Sequence, residues 1–370
     1  MSKTAAMPDA AMPNTAMPNA VVEICDTGLT AWNGAVATGP AEPGFALVDA
    51  SSVITGRAAV NQARRHPRRI HHRFWEDLSS ESLGHPFPSG LRSTDLAYAQ
   101  LAALEAPADG CVVEVPGTFS EHQLGLLLGV AKAQGWQVNA FVDLGLVGAA
   151  AEAAAGATPT AEKRVLHLDL HLHRLVLTVL DLDDGRLVRR RLETAEGSGL
   201  VQLYDLWMKE IGRRFVATTR FDPMHGADSE QALYSALPVC LDHLQADGEA
   251  DLAIEAGGRE HVLELRQADL AQVAQPVWKA ALDLVLSSAG ETAVEATGDT
   301  SALLVLSHRI AGLPGLQEAL DAGLEEKDIR WTWATPAALA KARKRALASV
   351  ENHDDNAVPV LTQMSVNGGA

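Results

Sequence analysis

The stretch Lys163 to Leu182, KRVLHLDLHLHRLVLTVLDL, constrains the fold more tightly than any other part of this chain. Val165, Leu166, Leu168, Leu170 and Leu172 are interleaved with His167, Asp169, His171 and His173, and a second aliphatic run follows from Leu175 to Leu182. Alternation of this kind predicts a half-buried strand, and the aliphatic run a more buried one. The connection is too short for a helical crossover, so the two are expected to pair through a tight turn. A period of two places His167, Asp169, His171 and His173 on one face.

Charge narrows what such a sheet can serve. The formal net charge of the 370 residues is −17, and basic runs are confined to Arg64–Arg73 and Lys341–Arg345. A phosphate backbone requires concentrated positive charge, so no nucleic-acid partner is expected. No apolar stretch approaches the ~18 residues of a membrane span, and no signal-peptide pattern is seen, so the chain reads as cytoplasmic with no membrane partner. Cys25, Cys111 and Cys240 are odd in number and far apart, which suits buried free thiols in a reducing compartment.

Three tandem pentapeptides, AMPDA, AMPNT and AMPNA, occupy residues 6–20, and their spaced prolines predict a disordered leader over 1–20. A first lobe is expected over 21–156, with an outer subdomain at about 40–109. It opens on a strand, VVEIC, ending in an Asp-Thr-Gly turn, and contains a β-α-β unit from Gly110 to Val142. Ser120 followed by Gln123 has capping-box spacing for the helix of that unit. Leu144–Ala155 is a small-residue helix suited to close packing on a sheet, and 156–162 is a linker. A second lobe, 157–350, repeats the order: a hairpin over 163–193, a Gly-Ser-Gly turn and a helix. An outer helix-strand-strand-helix insertion follows at about 216–294, then two further strand-helix pairs. Residues 351–370 are polar and aperiodic, which predicts a flexible tail.

Five segments in this order resemble the nucleotide-binding domain of the DnaK-type heat-shock chaperones, within the actin-like ATPases. DTGLTA at 26–31 is similar to the family's first phosphate turn, DLGTTN, and ITGRAAVNQARRHPRR at 54–69 to its outer first-lobe segment. VVEVPGTFSEHQ onward, at 112–151, is similar to its "VITVPAxFxxxQ" unit. FDPMHGADSEQALYSALP at 221–238 and LLVLSHRIAGLPGLQEAL at 303–320 resemble its second-lobe helix and its "LVGGxxRxPxxQxxL" loop. The resemblance implies an α/β fold of two actin-like lobes, duplicated ribonuclease-H-like domains each with an inserted outer subdomain. The roughly 20 residues after Val350 leave no room for a substrate-binding domain, which implies no client gripping by that route.

In that family, glycines in two hairpin turns let backbone N–H groups approach the phosphates. Here Asp26, Gly28 and Thr30 retain the first turn in part. Where the family reads DLGGGT, this chain reads Asp169, Leu170, His171, Leu172, His173, Arg174, with Gly199 in the turn that follows. His308 and Arg309 replace the glycines of the adenosine loop ahead of Gly312. Asp143 stands for the cleft glutamate, and the first-lobe lysine falls near His72 and Arg73. Asp26 and Asp169 are the acids that would hold Mg²⁺ if nucleotide bound. Side chains in the phosphate positions predict a pseudo-ATPase with no cofactor, acting as a regulator or scaffold through a protein partner such as an intact chaperone of the same family. The alternative is an active ATP-binding switch using Asp26, Asp143 and Asp169 with Mg·ATP.

Three other readings use the same residues. His167, Asp169, His171 and His173 have the composition of a transition-metal site, although side chains ~6.5 Å apart along a strand do not easily converge. The plainer expectation is a half-exposed polar face. HPRRIHHR at 66–73 reads as a solvated patch, or as a site for an anion or acidic partner. Trp331 and Trp333 alternate as sheet packing. The pairs Ser120/His122 and Ser307/His308 lack a nucleophile-elbow setting, and Ser198 reads as a turn residue.

Overall fold

The computed structural model describes residues 20–34, 36–50, 52–104, 107, 110–153, 164–290, 302–350 and 358–366. The leader up to residue 19, the linker at 156–162 and the tail segments 351–357 and 367–370 lie outside the described residues.

From the N-terminus, β1 (Ala20–Glu23), β2 (Thr30–Asn33) and β3 (Val36–Ala37) form an antiparallel meander. A small sheet follows, made of β4 (Ala46–Val48), β5 (Val53–Thr55) and β6 (Ile70–His71), with the short α1 (Gly56–Val60) between the last two. Next come α2 (Ser93–Ala102), β7 (Cys111–Val115), α3 (Glu121–Ala133), β8 (Val138–Asp143) and α4 (Leu144–Ala153). The α3 capping box forms as its spacing predicts: Gln123 N–H donates to Ser120 Oγ at 3.2 Å and Ser120 N–H to Gln123 Oε1 at 3.0 Å.

The second half opens on a three-stranded meander rather than a lone hairpin: β9 (Arg164–Leu170), β10 (Arg174–Asp183) and β11 (Arg186–Glu196). Asp184 and Gly185 take φ of 48° and 76° between β10 and β11, the left-handed pair that suits a two-residue hairpin turn. Then follow α5 (Leu200–Thr219), α6 (Ala227–Asp247), the hairpin β12 (Glu249–Ala256) and β13 (Arg259–Arg266), and α7 (Gln267–Gly290). The chain continues through β14 (Ala302–Leu306), α8 (Leu316–Leu324), β15 (Ile329–Trp333), α9 (Pro336–Val350), β16 (Val360–Leu361) and β17 (Gln363–Ser365).

Five strands of each large sheet share one order, and the sixth is added at a different edge. The first runs β16-β8-β7-β1-β2-β3 and the second β15-β14-β9-β10-β11-β17. In each, the leading strand (β1 or β9) has two antiparallel meander strands on one side and two parallel strands on the other; the sixth strand adds to the parallel side in the first sheet (β16) and to the meander side in the second (β17). Helices α2 and α3 cover one face of the first sheet, over Val22, Val113, Leu96 and Leu127. Helices α5 and α7 cover the corresponding face of the second, over Leu168, Leu177, Trp207 and Val277. The remaining faces meet in a shared core with α4 and α9, where Val142, Leu146, Val165, Leu303 and Ala342 are all buried. This is an α/β protein with mixed sheets. Trp331 and Trp333 pack edge to face at 5.0 Å on β15, as their alternation predicts.

The close packing expected of the small-residue helix is realised on the second sheet. A Cβ at Gly145 of α4 would stand 2.6 Å from Thr178 Cβ of β10, and one at Gly148 would overlap the His167 ring of β9. Only glycine admits that approach.

The tail corrects its expectation. Residues 358–366 do not fray: β16 pairs with β8 and β17 with β11, so the segment adds a strand to both large sheets. Phe141 N–H donates to Pro359 O at 2.9 Å and Arg189 N–H to Thr362 O at 3.0 Å. Leu361, Met364 and Val366 are buried in the shared core. A segment this short has no readable period, but two open sheet edges supply its backbone partners.

Candidate functional site

The first turn follows β1 and contains Cys25, Asp26, Thr27 and Gly28; the second follows β9 and contains His171, Leu172 and His173. They face each other directly. Leu172 N–H donates to Asp26 Oδ1 at 3.0 Å, and Thr27 Oγ1 donates to Leu170 O at 3.3 Å. Gly28 N–H closes its own turn on Cys25 O at 2.9 Å, and a Cβ there would meet that of Ala41 at 2.9 Å. Thr30 opens β2 opposite Glu23. Gly199 lies against the second turn, where a Cβ would come within 2.5 Å of the His173 carbonyl carbon. The N-terminus of α5 is used by the same turn, because Leu200 and Val201 donate to His171 O and Leu172 O, each at 2.9 Å. A helix end of this kind binds an anion only while its N–H groups are free.

Below the turns lies a network of buried charges. Arg309, at the loop after β14, donates to both oxygens of Asp169 at 3.0 Å and also pairs with Glu23. Arg343 of α9 pairs with Glu23, donates from Nε to Glu114 at 3.0 Å, and lies 4.2 Å over the Trp32 ring. Glu23 and Glu114 are register partners on β1 and β7, so the two acids start side by side and need the cations. Burial, with Arg343 adding to it, pushes the Arg309 guanidinium down to about 9, still cationic at neutral pH. Two guanidinium groups therefore face three carboxylates, which leaves no positive excess for a polyphosphate. The space among Glu23, Glu114, His167, Ser307, His308 and Arg309 is about 10 Å³, room for one water at most.

His171 belongs to a second cluster. Its Nδ1 is 3.3 Å from Asp26 Oδ1 and its Nε2 3.8 Å from Asp169 Oδ2, with the Cys25 thiol 4.0 Å away. Burial opposes charge on the ring, but Cys25 and Asp26 outweigh it and raise the imidazole well above its ordinary range. Burial likewise opposes charge on Asp26, and His171 with the Leu172 N–H holds that carboxyl below its usual range. Burial pushes the Cys25 thiol up despite the pull of His171.

The structure thus brings Asp26, Asp169, His171 and Arg309 together, with Gly28 and Gly199 in and against the two turns, and gives the other expected residues different partners. The single polar face of four does not form. Strand β9 stops at Leu170, so only His167 and Asp169 share its face, and all four side chains are buried rather than half-exposed. His173 turns to His72, stacking at 4.8 Å with its Nε2 3.0 Å from His72 Nδ1. His167 packs on Gly148. Burial lowers the pKa of His308. Asp143 accepts from Gly145 N–H at 2.7 Å at the start of α4 and pairs with Arg189. Gly312, at φ +76°, packs on Gln245 of α6. In the basic patch, Arg69 pairs with Asp49 and Arg73 with Glu76, which partly neutralises it. Sequence reasoning missed Glu23, Glu114 and Arg343. The available signal was an acid inside each apolar strand run, VVEIC and VVEV, since a buried carboxylate demands a cation.

Comparison with models of known protein families gives no match, and neither does comparison with curated proteins. Among the described residues, no helix is long and apolar enough to cross a membrane.

Proposed function

We propose that this chain is a two-lobed, actin-like protein, resembling the nucleotide-binding domain of DnaK-type chaperones, that has lost ATP turnover and acts through protein contacts as a regulator or scaffold. The five-strand order repeated in the two sheets supports the duplicated architecture, with outer parts at 40–109 and 216–294. One observation carries the loss of nucleotide: Arg309 fills the floor between the two turns and is held there by Asp169 and Glu23. A triphosphate would have to displace a buried ion pair and enter a net negative pocket, and an uncompensated buried charge costs about 3–5 kcal/mol. Asp169 is likewise unavailable to Mg²⁺ while both its oxygens accept from Arg309. The proposed partner is a protein, an intact chaperone of the same family.

An ATP-binding switch using Asp26, Gly28, Asp143 and Asp169 is the second reading. It draws on a cavity of about 410 Å³ beside the first turn, lined by Thr27, Arg57, Asn61, Tyr204 and Tyr234 among others. Its size suits a small ligand, but its lining is mainly apolar. Titration calorimetry and thermal shift with millimolar Mg·ATP decide between the readings. The pseudo-ATPase gives neither heat nor shift. A rise of several degrees, as expected of a ligand at 100 Kd adding ~2.7 kcal/mol, overturns it.

A further inference from the structure

Cys25, Asp26 and His171 each present one donor atom, and the three atoms lie within 4.8 Å of one another with all three residues buried. His171 Nδ1 is 3.3 Å from Asp26 Oδ1, and Cys25 Sγ is 3.9 Å from that oxygen and 4.0 Å from that nitrogen. With bonds of about 2.0–2.1 Å to N and O and about 2.3 Å to S, ligand atoms on a tetrahedral zinc stand about 3.3 Å apart for N/O and about 3.6 Å for pairs with sulfur. The donors already form one face of such a tetrahedron, and the sulfur needs to move in by only about 0.4 Å.

The rest of the setting agrees. Asp169 Oδ2 lies 3.8 Å from the ring at Nε2, longer than a hydrogen bond but on the side from which a carboxylate orients a metal-bound imidazole. Thr27 Oγ1 is 3.2 Å from Cys25 Sγ, placing a hydroxyl beside the thiol. A thiolate, an imidazole and a carboxylate together select a zinc-class ion rather than Mg²⁺, which takes oxygen ligands.

We propose that Cys25, Asp26 and His171 bind one zinc-class divalent ion, which staples the turn after β1 to the turn after β9. Binding replaces the thiol proton of Cys25 and the imidazole proton facing Asp26, and both leave to solvent. The ligands lie on turns that follow a strand of each large sheet, so the ion ties the two halves of the chain at those turns. This assignment does not depend on whether nucleotide binds.

The test uses the full chain without a His-tag, stripped with chelator and titrated with ZnCl₂ or CoCl₂. The expected results are one zinc per chain retained through gel filtration, a higher Tm with zinc, and a thiolate-to-cobalt charge-transfer band. Cys25→Ser and His171→Gln abolish the band and weaken zinc binding at least tenfold, while His122→Gln, on exposed α3 surface, leaves both unchanged. If Cys25→Ser does not fold, the double variant Cys111→Ala/Cys240→Ala leaves Cys25 as the sole thiol, and the cobalt band must persist in it. Absence of the band from wild type, its loss in that double variant, or unchanged metal binding in folded Cys25→Ser overturns the site.

Discussion

At the residue scale, the stacked rings of His72 and His173 set how this protein answers acid. Burial pushes His72 down to about 4, and the neighbouring His173, His71 and Arg73 add to the effect. Burial also lowers His71, His167 and His173. An unfolded imidazole takes its proton near 6.5, so between that pH and about 4 the unfolded chain binds protons that the folded chain refuses. The stability from His72 is complete above pH 6.5 and is lost progressively as pH falls toward 4, amounting to about 3 kcal/mol. His171 has the opposite sign: its raised pKa gives stability that is full below 6.5 and lost only as pH rises through the folded value. It contributes no change within the acid window. Urea midpoints at pH 6, 5 and 4.5, all inside the window where the His171 contribution is constant, should therefore fall steadily, and a flat series would refute the buried-neutral pair.

At the element scale, α4 is a helix chosen for its thinness. Gly145 and Gly148 let it lie against β9 and β10, while Asp143 caps its first turn. Thr178 Cβ, 2.6 Å from a Cβ at Gly145, is fixed to the backbone and cannot swing away as a long side chain would. Gly145→Ala is therefore expected to destabilise by about 1–3 kcal/mol through overpacking. Gly125 of α3 gives the contrast. It is exposed, and nothing lies within 4 Å of its Cβ position, so Gly125→Ala should stabilise by about 0.5–1 kcal/mol. Chemical denaturation of the two variants tests the pair, and equal effects would show that α4 is not tightly seated.

At the scale of the whole molecule, the two halves of the chain are joined by contacts of different kinds. Arg64, just after α1, donates to Asp205 of α5 at 2.9 Å and lies 4.5 Å over Tyr234 of α6, while Arg65 pairs with Asp228. These partly exposed pairs contribute about 1 kcal/mol each at most. Near the shared core, the strap at 358–366 does more, because it buries Leu361, Met364 and Val366 and pairs with both sheets. Truncation after Val350 should lower stability by about 3 kcal/mol or more, given ~1.5–3 kcal/mol per large apolar side chain buried. Hydrogen exchange should accelerate at the amides of Phe141 and Arg189, which lose Pro359 O and Thr362 O. Unchanged exchange at those two amides would mean that the strap is not docked in solution.

Local physics determined what the sequence by itself could show: the alternation that makes β9 and β10, the Ser120–Gln123 cap and the small-residue packing of α4. Each depends on residues a few positions apart, where period and propensity act. The charge network was decided only by the tertiary structure. Arg343 and Glu23 are 320 residues apart, and neither alone signals its partner. The direction of the His171 ring was decided there as well, because β9 ends one residue before it and strand alternation no longer governs where it points. The tail followed the same rule: its order comes from sheet edges and buried contacts that exist only once the rest of the chain has folded.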